Sequence, residues 1–89
     1  MLLAIDVGNT NTVLGLFEGE RLAASWRIKT DAQTTADEMA LTYRGLLADE
    51  AAVTGIALCS TVPAVLREMR LMLTRYFGDV HTVIVEPGT

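Results

Sequence analysis

The chain has 89 residues, a formal net charge of −4 and 51% apolar residues, which suits one small globular domain spanning 1–89 with a hydrophobic core. An acidic balance without a cluster of Lys or Arg excludes a nucleic-acid groove or an anionic membrane surface as the main partner. No apolar stretch reaches the length of a membrane span, the start lacks the marks of a signal peptide, and the lone Cys59 has no partner for an internal disulfide, so a cytoplasmic protein is expected.

Met1-Leu2-Leu3-Ala4-Ile5 reads as a buried strand and Thr12-Val13-Leu14-Gly15-Leu16-Phe17 as a second. Between them, Asp6-Val7-Gly8-Asn9-Thr10-Asn11 gathers a carboxylate, a glycine and several amides and hydroxyls into a hairpin tip. Two readings fit this composition equally. In one it is a β-turn, with Asp6 bonding nearby backbone amides. In the other it handles phosphate: Gly8 takes a positive φ and brings N–H groups toward a ligand, Asn9, Thr10 and Asn11 offer donors, and Asp6 holds a hydrated magnesium ion.

Glu18-Gly19-Glu20-Arg21 supplies a second turn, and Leu22 to Ile28 a third strand whose polar end, Arg27, Lys29 and Asp31, reads as a solvated edge. Thr35-x-x-Glu38 is a capping-box pattern, and Met39, Tyr43, Leu46 and Leu47 follow at helical spacing, predicting an amphipathic helix over about 36–48. Val53 to Cys59 is a short apolar strand in which Cys59 is expected as a small buried residue. Ser60 and Thr61, at the carboxyl edge of the sheet, read either as residues lining a cleft or, the favoured reading, as caps for a helix that starts at Pro63 and ends at Gly78, with Leu66, Met69, Leu73, Tyr76 and Phe77 as its buried stripe. Met39, Met69 and Met72 fill core gaps, Trp26 packs on its strand or meets a partner subunit, and His81 lacks a second ligand at metal spacing. A last strand runs from Thr82 to Glu86, giving the order β-β-β-α-β-α-β. Crossover helices then make the later strands parallel to the first, for a mixed α/β sheet with helices packed on it.

Asp6-Val7-Gly8-Asn9-Thr10-Asn11 resembles the first phosphate motif of the superfamily of acetate kinase, sugar kinases, heat-shock chaperones and actin. Its Gly8-Asn9-Thr10 core is similar, more narrowly, to the type III pantothenate kinases, as are Trp26-Arg27, Thr35-Ala36-Asp37-Glu38 and Ser60-Thr61-Val62-Pro63 in that order. The resemblance runs nearly end to end. It implies a ribonuclease-H-like half domain, one of two that face a nucleotide cleft, and transfer of the γ-phosphoryl of ATP to pantothenate, the first step toward coenzyme A.

It also implies Mg²⁺, a monovalent cation such as K⁺ or NH4⁺, and a homodimer. The phosphate site implied is Asp6, Val7, Gly8, Asn9, Thr10, Asn11, Thr12 and Val13, with Asp6 toward the metal. Val85-Glu86-Pro87-Gly88-Thr89 is similar to the family segment that precedes the substrate-binding region. On this reading the chain is an N-terminal portion, the catalytic base falling beyond Thr89 in a Gly-x-Asp-Arg segment and the second phosphate motif, Asp-x-Gly-Thr, also beyond it. Three alternatives stay open: another small-molecule kinase of the superfamily, an accessory factor in transcription regulation (a label family members have also carried), and an interaction domain that binds no nucleotide.

Overall fold

The computed structural model describes residues 1–47 and 53–85. Its elements are β1 (Leu2–Val7), β2 (Asn11–Glu18), β3 (Arg21–Lys29), α1 (Ala36–Leu46), β4 (Gly55–Ser60), α2 (Pro63–Tyr76) and β5 (His81–Val85), in the expected order. They form one sheet in the order β3-β2-β1-β4-β5. The β1–β2 and β2–β3 pairs are antiparallel, while β1–β4 and β4–β5 are parallel. The mixed α/β architecture read from the sequence is therefore the one observed. Residue 48 of the expected helix and Glu86 of the expected strand lie outside the described residues.

Register assigns each strand residue to a face. Leu3, Ile5 and Val7 of β1 align with Leu16, Leu14 and Thr12 of β2 and with Ile56, Leu58 and Ser60 of β4, and all nine are buried. Onto this face pack Ala36, Met39, Ala40 and Tyr43 of α1 and Val65, Met69, Met72 and Leu73 of α2, completing one core. The other face carries Leu2, Val13, Leu22, Val83 and Val85, each between 38% and 55% exposed. Neither helix covers it. That is why β1 reads as a continuous apolar run rather than an alternating one: both of its faces are apolar, although only one is packed. No helix among the described residues is long and apolar enough to cross a membrane.

Local chemistry sets the helix starts. Thr35 caps α1, its Oγ1 accepting from the Glu38 N–H at 3.2 Å while the Glu38 carboxylate accepts from the Thr35 N–H at 3.4 Å, so the capping box is formed as expected. Pro63 opens α2, where its missing N–H costs no helical bond. The stripe of α2 differs from the expected one. Val65, Met69, Met72 and Leu73 are buried, whereas Leu66, Tyr76 and Phe77 are half-buried at its margin. The helix divides its packing between α1 and β4, which rotates the stripe away from the centre that an isolated helix–sheet contact would give. Tyr76 instead spends its polar end on α1, its hydroxyl donating to the Asp37 carboxylate at 2.9 Å beside Arg75 at 3.3 Å.

Candidate functional site

Parallel pairing of β1 with β4 brings their carboxyl ends to one edge of the sheet, and β3, antiparallel to β2, ends there too. Three chain segments meet at this edge: the β1–β2 turn, the end of β3 and the β4–α2 connection. An edge of this kind is where open α/β sheets bind ligands.

The turn is tighter than the sequence suggests. Asp6 and Val7 belong to β1, paired with Val13 and Thr12, and Asn11 already begins β2, which leaves Gly8-Asn9-Thr10 as the tip. The ladder continues past Asp6 because cross-strand hydrogen bonds outweigh the low strand preference of one carboxylate. The Gly8 N–H donates to the Asn11 carbonyl at 2.9 Å and closes the loop. The expected positive φ at Gly8 is absent; among the described residues only Gly19, at φ 61°, has one. Gly8 is small for another reason, since a Cβ there would lie 3.2 Å from the Asn11 carbonyl oxygen.

The segment from Asp6 to Val13 divides by direction. Asp6, Asn9, Thr10, Asn11 and Val13 are exposed, Gly8 is half-buried, and Val7 and Thr12 point into the core. Any service of Val7 to a ligand thus goes through its backbone. The Thr12 hydroxyl is committed inward, 2.8 Å from the Thr30 hydroxyl. Asn11 Nδ2 donates to Thr10 Oγ1 at 3.1 Å, so these two side chains present a linked amide and hydroxyl at the tip.

Two neighbours fix the turn from either side. The Thr30 N–H donates to the Thr10 carbonyl at 2.9 Å, and the Thr61 N–H donates to the Val7 carbonyl at 3.1 Å, with the Thr61 hydroxyl on the same oxygen at 3.4 Å. The expectation that Ser60 and Thr61 cap α2 does not hold. Ser60 Oγ bonds the N–H and carbonyl of Val62 itself, at 3.1 and 3.2 Å, and Thr61 turns back to β1; the N-cap position falls to Val62, whose side chain has no acceptor to offer.

Asp6 stands on the open face between Val13 and Cys59, at the rim of an apolar groove of about 410 Å³ that Phe17, Leu22, Ala57 and Val85 also line. No group of three or more His, Cys, Asp or Glu side chains that could hold a metal occurs among the described residues. A single carboxylate fits Mg²⁺, which keeps several waters and shares its shell with phosphate oxygens, better than a metal enclosed by protein. Lys29, exposed and paired across the strands with Asn11, and Arg27, paired with Val13, are the cations nearest the turn in register. Composition marked both as a solvated edge; strand alternation anchored on Trp26 and Ile28 would have placed them opposite the core. Tyr43, at the floor of a depression shared with Thr12 and Thr30, has its phenol pushed above the usual range by burial and stays neutral.

A family model described as type III pantothenate kinase matches residues 2–89. Type III pantothenate kinases of Frankia casuarinae and Salinispora arenicola are 67% and 63% identical to this chain over 89 residues, covering 100% and 99% of it. That of Streptomyces coelicolor is 55% identical over 96 aligned positions. The chain spans 35% of the length of the Frankia and Salinispora relatives. Among solved structures, the Lmo2764 protein of Listeria monocytogenes superposes with a TM-score of 0.65 at 19% identity, over 96% of this chain and 34% of that one. Thermus thermophilus RuvC superposes with a TM-score of 0.62 at 22% identity, over 97% and 61%. At these identities the likeness concerns the fold, which is of the ribonuclease-H-like, actin-ATPase type.

Proposed function

The chain belongs to the type III pantothenate kinase family, and we propose that within such an enzyme it holds the phosphates of ATP for transfer of the γ-phosphoryl group to the pantothenate hydroxyl. The observation that carries this reading is the exposed Gly8-Asn9-Thr10 turn, closed on itself and fixed from both sides, with the Asp6 carboxylate at the end of the strand that leads into it.

Asn9, Thr10 and Asn11 offer amide and hydroxyl donors to phosphate oxygens, and the turn needs little rearrangement to receive them. Phosphoryl transfer passes through a loose transition state whose charge lies on oxygen, so fixed donors and nearby cations do most of what a protein can do for it. Lys29 adds a positive charge in a chain of net charge −4. Asp6 would hold Mg²⁺ through water or directly, and the ion would supply positive charge that offsets the charge on the transferring phosphate. Thr12 and Val7 contribute by anchoring the turn rather than by touching phosphate. The general base, the second phosphate segment, the pantothenate pocket and the monovalent-cation ligands are assigned to the remainder of a full-length family member, as is the homodimer interface.

The test is an NMR titration of the ¹⁵N-labelled chain with Mg-ATP, repeated with Asp6→Ala. Support would be shifts centred on Gly8, Asn9, Thr10 and Asn11 that need magnesium and disappear in the variant. A folded chain whose turn ignores Mg-ATP at millimolar concentration would remove the proposal.

A further inference from the structure

We infer that Thr30 is a positioning residue for the phosphate turn, acting through Thr10 and Thr12 without itself meeting ATP. This rests on the reading above.

Thr30 follows the last residue of β3, an edge strand. Strand ends at sheet edges fray, because one side of the backbone has no partner and few contacts hold the terminus. Here two bonds hold it. The Thr30 N–H donates to the Thr10 carbonyl at 2.9 Å, and the Thr30 hydroxyl meets the Thr12 hydroxyl at 2.8 Å. Thr12 is 4% exposed, so its hydroxyl has little recourse to water and depends on Thr30.

The two bonds act on the turn from different directions. The first takes the carbonyl at the end of the tip and orients the peptide that follows it. The second pins the first inward-facing residue of β2, directly after Asn11. With the Thr61 N–H on the Val7 carbonyl at the other side, both arms of the hairpin are held at the point where the donors project. Without the Thr30 hydroxyl, Thr12 would hold a buried unpaired group and the turn would gain conformations that do not face a phosphate. Affinity would then fall through lost preorganisation, with every phosphate-facing group still present.

The experiment compares the chain with Thr30→Val and Thr30→Ser, reading amide hydrogen exchange at Gly8, Thr30 and Thr61, whose N–H groups are bonded across the turn, against Leu58 and Met69 in the core, and then Mg-ATP affinity. Thr30→Val keeps shape and strand preference but removes the hydroxyl. The expected result is turn exchange faster by about tenfold relative to the core, Mg-ATP binding weaker by a similar factor, and return of both toward the parent values in Thr30→Ser. Should Thr30→Val not fold, Thr12→Val/Thr30→Val removes the hydroxyl bond without leaving a group unpaired; turn exchange still faster relative to the core would then support the inference, and a turn as protected as the parent's would overturn it. The inference is overturned if turn and core exchange rise together, as they would for a bond that merely stabilises the domain. A chain in which Thr30→Val loosens the turn selectively, yet the parent ignores Mg-ATP, would uphold the positioning role and discard the phosphate reading instead.

Discussion

The Glu68 carboxylate of α2 accepts a hydrogen bond from the backbone N–H of Ala36, the first residue of α1, at 3.1 Å. One helix therefore caps the other: Thr35 takes the Glu38 N–H, Glu68 takes the Ala36 N–H, and a negative charge sits at the positive end of the α1 dipole. Glu68→Ala should lower stability by about 1 kcal/mol, the usual worth of a charge-assisted cap. Glu68→Gln, which keeps an acceptor, should cost less. Urea denaturation of the three proteins measures this, and equal midpoints would mean the contact contributes nothing.

Asp6 separates function from stability. Its carboxylate is exposed, and no hydrogen bond or ion pair of its side chain is found among the described residues. Asp6→Asn, nearly the same in shape, should shift stability by no more than about 0.5 kcal/mol while removing the magnesium-dependent part of the Mg-ATP response. A loss of several times that amount in urea would identify Asp6 as a structural turn carboxylate.

Gly8→Ala tests why a glycine stands in the turn. The new Cβ would come within 3.2 Å of the Asn11 carbonyl oxygen, which is backbone held by the Gly8 N–H itself at 2.9 Å and so has little freedom to retreat. A cost of about 1 kcal/mol is expected, together with displaced amide resonances from Gly8 to Thr12. Gly19→Ala should cost a similar amount for a different reason, its φ of 61° being a conformation that L side chains disfavour. The two variants differ in readout: only Gly8→Ala should weaken Mg-ATP binding.

The local parts of this architecture were legible in the sequence, as was the mixed sheet that the element order and the crossover rule imply; the individual long-range side-chain contacts were not. The capping box at Thr35 and Glu38, the proline start of α2 and the three opening strands each depend on residues a few positions apart, and they formed as read. The Thr12–Thr30 bond joins residues 18 apart, and its existence depends on the β2–β3 register, including an irregularity between Leu16 and Phe17 that no spacing rule announces. The Glu68–Ala36 cap, across 32 residues, depends on how α1 lies along α2. Within the candidate site, the exposed tip was legible as a turn of donors. The inward commitment of Thr12 and the closeness of Lys29 to Asn11 needed the sheet to be assembled first.

Alkaline pH should destabilise the domain through its two tyrosines. Tyr43 is 1% exposed in the core, and burial, which disfavours the phenolate, pushes its pKa above the ordinary 10. The Tyr76 pKa is raised first by the hydrogen bond its hydroxyl donates to Asp37, with desolvation and the Asp37 charge adding, while Arg75 and Arg44 oppose the rise. Both phenols are therefore weaker acids folded than unfolded. Above pH 10 the unfolded chain gives up protons that the folded chain retains, so stability is complete below that pH and falls as pH climbs toward the folded values. Urea midpoints should stay level with respect to the tyrosines from neutrality to about pH 9 and then drop, the drop being shallower in Tyr43→Phe, where the buried phenol is gone. Near-ultraviolet phenolate absorbance should rise together with loss of structure. Full phenolate absorbance near pH 10 in a chain that remains folded would show that neither phenol is held by its surroundings.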